Sequence, residues 1–365
     1  MATYRKRSGT WQARITWVSD GKRHEKSKQG FKTKSLAQSW VLKEETKLHQ
    51  GIKINQDISF VQYFDSWFHT YKQNKLSAIT QARYKLVKKE LKYYFKDTSI
   101  KNIDRQEYQK FINNYGKDHA PASVRKLNSI VRASVRSAIL DDFILKDFTQ
   151  NVTLTANTNK IVKVDYLSLA EIQKLVNEIM SSTGNHRYTS RYMILLAIFS
   201  GMRLSEIQAL TWNDIDMIHQ TITINKSWNT TTKSFKPTKN KSSNRTIKID
   251  RECLQFIYKL KIHSKSNMVF MSQFGTVPTS NAVNHTLRSL LKKLGIHRNN
   301  FHFHSLRHSH VALLLANGID LYPISKRLGH SNTTTTSEIY AYLIDEYKSR
   351  SDQQILNALA NIRPR

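Results

Sequence analysis

The chain has a single cysteine, Cys253, among 365 residues. One thiol excludes an intramolecular disulfide and a cysteine-based structural zinc site, and it fits a reducing compartment, with Cys253 read as a small packed hydrophobe. Long hydrophobic runs are also missing. Nowhere do 18 uncharged apolar residues follow one another, and the N-terminal MATYRKRSGTW has basic residues with no apolar run after them, which excludes a spanning helix and a secretory leader by pattern. The expectation is a soluble, unsecreted protein with no membrane partner. Acidic residues are scarce as well. Only 27 Asp and Glu stand against 58 Lys and Arg, a formal charge of +31, and the pI is near 10.1.

Such a chain binds polyanions. Its 39% hydrophobic and 10% aromatic residues supply real cores, which argues against a disordered basic tail, and the length suggests two or three domains. The charge is spread along the chain: residues 1–57 hold thirteen Lys and Arg against five Asp and Glu, as expected of a protein that wraps a duplex. A ribosomal or nucleoid protein would look equally basic. Composition gives nucleic-acid binding, not an enzyme.

Three regions separate by pattern. Strand-like runs at Thr10 to Val18 and Arg23 to Phe31, joined by Ser19-Asp20-Gly21, precede apolar positions at helical spacing from Ser35 to His49, so residues 1–57 read as a small sheet backed by one helix. Residues 58–152 read as nearly all helix, with periodic segments at Ser59–Lys72, Thr80–Tyr94, Arg105–Tyr115 and Ala122–Leu140. In the last segment Arg125, Arg132 and Arg136 share a face opposite Leu127 and Val131, either a solvated polar face or one that meets phosphates. Residues 151–163, polar and aperiodic, read as an interdomain linker. Residues 164–365 mix helices with one hairpin, Thr221–Asn225 against Arg245–Ile249, around a long basic connection.

The residues with chemistry to offer lie in this third region. The apolar helix Tyr192–Phe199 ends at Ser200-Gly201, and a new helix is expected from Ser205 with Gln208 completing a capping box, leaving Arg203 in the turn. There it is either a surface arginine or a guanidinium fork held for a phosphate. His304 and Arg307, three apart, converge at a helix N-terminus if that helix starts near Ser305. His302 and His304 could instead ligate a metal, but no Asp or Glu stands at a recognisable spacing. Pro323 opens a short helix that ends at Leu328-Gly329, with His330 following, and Thr335 with Glu338 at capping-box spacing puts Tyr340 in the first turns of another helix. Any one tyrosine among 16 is ordinarily a packing residue.

In order along the chain, Gly201-Met202-Arg203-Leu204-Ser205-Glu206, Lys239, His304-Ser305-Leu306-Arg307, Leu328-Gly329-His330 and Tyr340 resemble the tyrosine recombinase, or phage integrase, family. Gly30-Phe31-Lys32-Thr33-Lys34 before a helix with Trp40 resembles its arm-site-binding domain, and the helical middle its core-binding domain. The resemblance implies a multidomain, mainly α fold with small β-sheets: a sheet-plus-helix arm-binding domain (1–57), a helical core-site-binding domain (58–152) and a mixed α/β catalytic domain (164–365). It implies a site-specific integrase acting through a 3′-phosphotyrosyl intermediate, with no cofactor and no metal. Double-stranded DNA at core and arm attachment sites is the implied partner. A homotetramer on DNA, an excisionase and a host DNA-bending protein are implied alongside, in the cytoplasm and nucleoid of a bacterial host.

By the same resemblance Tyr340 is the nucleophile, His304 accepts its proton, Lys239 protonates the 5′-oxygen, and Arg203, Arg307 and His330 donate to the nonbridging oxygens, with Glu206 in structural support. Two departures matter. The family commonly has Tyr-x-His where this chain has Tyr340-Ala341-Tyr342, although Tyr340 follows His330 by the family's usual nine or ten residues, and Lys241 stands close to Lys239. Two other classes share the composition: a DNA-binding regulator on a decayed recombinase scaffold, and a metal-dependent nuclease, which insensitivity of adduct formation to EDTA would exclude.

Overall fold

The computed structural model describes residues 2–19, 22–49, 57–161, 164–181, 188–238, 240–334, 336, 337 and 340. Asp20, Gly21, Lys239, Thr335, Glu338, Ala341 and Tyr342, on which several expectations fall, lie outside these residues. The chain divides into two compact units, residues 1–162 and 163–365. It is multidomain and mostly helical, with three small sheets among the described residues. Among the described residues no helix is long and apolar enough to cross a membrane.

The first unit opens with β1 (Ala2–Arg7), β2 (Thr10–Ser19) and β3 (Lys22–Phe31), an antiparallel meander covered by α1 (Lys34–His49). Ala13 and Ile15 of β2 and Ala37 and Val41 of α1 form its small core. Alternation along β2 turns one set of side chains inward. β1 was not visible as a strand because four of its six residues are exposed; pairing with β2, Tyr4 opposite Ala13, makes it one.

The helical part holds α2 (Phe60–Trp67), α3 (Ala78–Phe95), α4 (Arg105–Gly116) and α5 (Pro121–Leu140). Ser59 and Gln62 form a full capping box on α2, and Asp104 caps α4. The single helix expected over Ser59–Lys72 instead widens after Trp67 into a π turn, Phe68–Lys72. Trp67 and Phe68 are then both buried, with the indole N–H of Trp67 donating to Ser137 Oγ at 2.9 Å. On α5, Val124, Leu127, Val131, Val135 and Ala138 are buried, while Arg132 and Arg136 lean toward Asp147 at 3.9 and 3.8 Å.

The polar segment expected to be a linker is docked over its first half. Gln109 brackets Thr153, donating to its carbonyl and accepting from its N–H, both at 2.8 Å. Arg105 holds Asn151 O at 2.9 Å, Thr155 Oγ1 donates to Asn113 at 2.8 Å, and Asn157 N–H donates to His119 O at 3.0 Å. A Cβ on Gly116 would overlap Thr155 O, so only glycine lets the strap pass this close. The backbone of Asn151 and Thr153 is satisfied by α4 side chains rather than by a ladder, which is why no periodicity marks the strap.

In the second unit α6 (Leu169–Ser181) precedes α7 (Ser190–Ser200), whose residues Tyr192 to Ile198 are all buried. A helix apolar on every side is a central one. Against it pack α6, α8 (Leu204–Gln208), α9 (Arg251–His263), α10 (Ser280–Lys293) and α11 (Phe303–Ala316), and α12 (Leu321–Leu328) packs on α11. α12 starts two residues before Pro323, which sits inside its first turn, where no intrahelical donor is needed. The sheet has the order β4 (Ile215–Asp216), β5 (Thr221–Ile224), and then the later strand Arg245–Lys248, with Ile222 opposite Ile247. The basic connection contains a second hairpin that the sequence did not announce: β6 (Lys226–Asn229) and β7 (Ser234–Pro237), with Trp228 edge-on to Phe235 at 5.6 Å. The later strand is thus β8.

Candidate active site

Two chain reversals meet at α11. The first is the turn after α7. Gly201 has φ +65°, and a Cβ there would stand 2.7 Å from the His310 ring and 3.0 Å from Leu328. Both the left-handed backbone and the close approach call for glycine. Arg203, two residues on, starts α8. That helix begins at Leu204 rather than Ser205, and the carboxylate of Glu206, not Gln208, closes it: Oε2 accepts from Arg203 N–H at 3.0 Å and Oε1 from the Arg203 guanidinium at 2.8 Å. A charged acceptor at a helix start outcompetes an amide; the Gln208 amide goes to Pro278 O at 2.7 Å.

Glu206 is 2% exposed and serves a second arginine. Arg245, at the start of β8, donates to Glu206 Oε2 at 2.9 Å, to Arg327 O at 2.6 Å and to Ser243 O at 2.8 Å. Burial alone would raise the Glu206 carboxyl, but Arg245 and Arg203 more than offset this and hold it below the ordinary carboxylate value. The ion set ties the start of β8 to the Arg203 turn and to the end of α12.

The second reversal follows α12, where Gly329 has φ +71°. A Cβ there would meet the Arg245 guanidinium at 2.9 Å and the Ser243 backbone at 3.1 Å. His330 comes next. The third element is α11 itself, which begins at Phe303 with His302 as its cap. Arg307 is 2% exposed. It donates to Gly201 O at 2.7 Å, Leu328 O at 2.8 Å and His330 Nε2 at 3.0 Å, so it holds both glycine turns at once. Burial and the nearby Arg203 lower its proton affinity, yet a guanidinium starting from above 12 stays charged.

Because a guanidinium only donates, His330 Nε2 must be the acceptor, so the proton resides on Nδ1, which donates to Thr336 Oγ1 at 2.6 Å. Desolvation and the charge of Arg307 hold His330 at about 4. It is neutral at physiological pH, with both ring nitrogens engaged.

Tyr340 is 1% exposed and packs with Val311, Ala312, Ile324 and Leu328. Its hydroxyl meets His308 Nδ1 at 2.7 Å. The group expected there was His304. The apolar seat of the Tyr340 ring lies against the second and third turns of α11, which brings the hydroxyl to position 308, while His304 stands a turn back, its ring edge-on to His308 at 5.1 Å. His308 is half-buried, and desolvation followed by His304 and Arg307 lowers it to about 4. His304 is exposed, yet desolvation of its ring and the adjacent Arg307 lower it to about 4 as well; the direction follows from the neighbouring guanidinium.

Five of the six expected residues are thus gathered: Arg203, His304, Arg307, His330 and Tyr340. Lys239 lies outside the described residues, and Lys241 opens a short 3-10 turn, Lys241–Ser243. His302 serves its own helix, its Nδ1 lying 3.0 Å from Asn300 O and 3.2 Å from Ser305 Oγ, and its ring is 6.4 Å from that of His304. Sequence reasoning passed over His308, Arg245 and Thr336. His308 is four residues after His304, one turn along the same helical face, a signal that was there to use. Nothing in a run of four threonines singles out the buried one.

The sequence pattern of the phage integrase family matches residues 165–346, that of an arm DNA-binding domain residues 3–48, and that of the phage integrase N-terminal SAM-like domain residues 59–115. A tyrosine recombinase XerC-like protein of Caldanaerobacter subterraneus is 23% identical over 355 residues, covering 88% of each chain. The ICEBs1 integrase of Bacillus subtilis is 25% identical, covering 71% of this chain and 72% of its own. Among solved structures, the Tn1549 transposon integrase in complex with a circular intermediate DNA superposes with a TM-score of 0.69 at 18% identity, covering 81% of this chain and 99% of that one. A lambda integrase tetramer bound to a Holliday junction gives 0.59 at 18%, covering 91% and 96%. The chain belongs to the tyrosine recombinase, or phage integrase, family, enzymes that cleave and rejoin DNA, and its N-terminal region is of the integrase arm-binding type.

Proposed function

We propose that the chain is the integrase of a phage or other mobile element, and that it breaks and reseals DNA through a 3′-phosphotyrosyl link at Tyr340. The observation that carries this is the meeting of a tyrosine hydroxyl, two arginines and three neutral histidines drawn from positions 203 to 340. Hydrolysis of a phosphodiester would discard its energy; transfer to a phenol stores it, so a second strand's 5′-hydroxyl can reverse the step without ATP. Tyr340 Oη attacks phosphorus, the bond from phosphorus to the 5′-oxygen breaks, and Lys239 protonates that oxygen. Arg307 and Arg203 hold the nonbridging oxygens, and exposed His304 joins them there. His330 contributes by fixing Arg307, since its own nitrogens are engaged.

The Lys239 role is tested on a nicked duplex of the junction sequence read from the DNA flanking the gene. Lys239→Ala should slow cleavage by about 10²–10⁴-fold. A 5′-bridging sulfur leaves without protonation, so it should restore cleavage in that variant and not in an Arg307 variant. Rescue of Lys241→Ala in its place would move the acid by two residues.

The partner is double-stranded DNA. The solved lambda integrase tetramer bound to a Holliday junction supports a homotetramer on the core, and an excisionase and a host bending protein complete the proposed assembly. Residues 1–57 would hold arm sites, residues 58–152 the core site, and residues 164–365 the chemistry. A protein beginning at Asp57 should then keep its core footprint and lose the arm footprint and integration. An arm footprint unchanged by the truncation would refute the assignment.

A further inference from the structure

We propose that His308 is the general base that takes the proton from the Tyr340 hydroxyl, and the acid that returns it when the tyrosine departs. The inference rests on Tyr340 as the nucleophile and adds a seventh catalytic residue.

With an ordinary pKa near 10, about one tyrosine in a thousand is ionised at pH 7, so the attack needs a base within hydrogen-bond reach. His308 Nδ1 lies 2.7 Å from the hydroxyl, and the two rings stand 5.5 Å apart. α11 fixes the imidazole from below, and the apolar seat of the Tyr340 ring fixes the phenol from above. In the tautomer with the proton on Nε2, the Nδ1 lone pair points at the hydroxyl and accepts from it. In the forward step the phenol proton passes to Nδ1, Oη bonds to phosphorus, and the 5′-oxygen leaves with its own proton from Lys239. On religation the incoming 5′-hydroxyl returns its proton to Lys239 as it bonds to phosphorus and displaces Oη, and His308 gives the phenol its proton back.

The surroundings explain why the base stays quiet without DNA. The titratable and charged groups facing His308 are His304, Arg307 and His302 from its own helix and cap, and Tyr340 from the opposite side. All but the tyrosine disfavour an imidazolium, and burial adds to this. A phosphodiester held by Arg307 and Arg203 supplies negative charge where none stood, and charge of that sign favours protonated histidine. Binding of the scissile phosphate would thus switch on both nucleophile and base, which protects Tyr340 from reacting off site.

The test uses the full chain, the nicked duplex above, and the rate of covalent adduct formation. His308→Asn puts an amide oxygen near the place of Nδ1, so the hydrogen bond survives while proton transfer does not. The variant should bind DNA with the wild-type Kd and unfold at nearly the wild-type temperature. At pH 7 its adduct should form about 10²–10⁴-fold more slowly. Its rate should climb about tenfold per pH unit toward 9, because the phenol must ionise unaided, whereas the wild-type rate is flat over that range. A fluorinated, more acidic tyrosine at position 340 should restore most of the rate to His308→Asn and none to Arg307→Lys. A His308→Asn rate equal to wild type overturns the proposal. So does a slow rate that neither pH nor the acidic phenol repairs, which would leave His308 a packing residue, or the same rescue appearing in His304→Asn instead. If the wild type forms no adduct at Tyr340, the nucleophile assignment fails first and is recognised as such.

Discussion

Tyr340→Phe should form no covalent adduct on a nicked substrate that traps the cleaved strand, while still binding that DNA specifically. The substitution removes one oxygen and keeps the ring that packs among Val311, Ala312, Ile324 and Leu328. The hydrogen bond to His308 is lost, which costs about 1 kcal/mol of stability by the usual net value of a protein hydrogen bond. A loss of that size leaves the fold in place, so a total loss of adduct with retained binding reports the missing nucleophile. Tyr342→Phe is the necessary control because a second phenol stands two residues on, and it should retain the adduct. An adduct that persists in Tyr340→Phe and vanishes in Tyr342→Phe would transfer the nucleophile's role.

The second large effect is expected at Arg307. One guanidinium there serves Gly201 O, Leu328 O and His330 Nε2. The ammonium of Arg307→Lys keeps the charge but is a single point and cannot span these acceptors. Removal of one such donor from a reacting oxyanion costs about 10²–10³ in rate, and adduct formation should fall by at least that much. Each buried acceptor left bare adds about 1–3 kcal/mol of destabilisation, and Tm should drop by roughly 2–4 °C for each kcal/mol in a unit of this size. Arg203→Lys, at a half-buried position whose Glu206 keeps Arg245, should lose rate with a smaller fall in Tm. Arg307→Lys cleaving at the wild-type rate would remove it from the phosphate.

The order of the chemical motifs along the chain made the site legible, and local rules anchor several of them: the glycines that end two helices, Gly201 and Gly329, and residues one turn apart on α11. What escaped were partnerships across distance. Arg245 is an arginine like many others until Glu206, 39 residues earlier, is folded against it. β1 becomes a strand only by pairing, and the β6–β7 hairpin hides in a run read as basic connection until Trp228 meets Phe235. The strap over α4 was read as a linker because its Thr and Asn residues are polar and aperiodic, and their partners, Gln109 and Asn113, lie more than forty residues away. The displaced start of α8 is a competition between two nearby acceptors, which spacing alone cannot rank. His308 stands in the shadow of the family motif, which singles out the histidine one turn before it.

The measurement that bears most directly on the central claim is the identity of the amino acid joined to DNA. Wild-type protein is incubated with the nicked junction duplex in the presence of EDTA, the adduct is digested with trypsin, and the nucleotide-bearing peptide is sequenced by mass spectrometry. A 3′-phosphate carried on Tyr340, formed as readily with EDTA as without, is the expected result. DNA on another residue, or cleavage that stops with EDTA and leaves no covalent adduct, would contradict it.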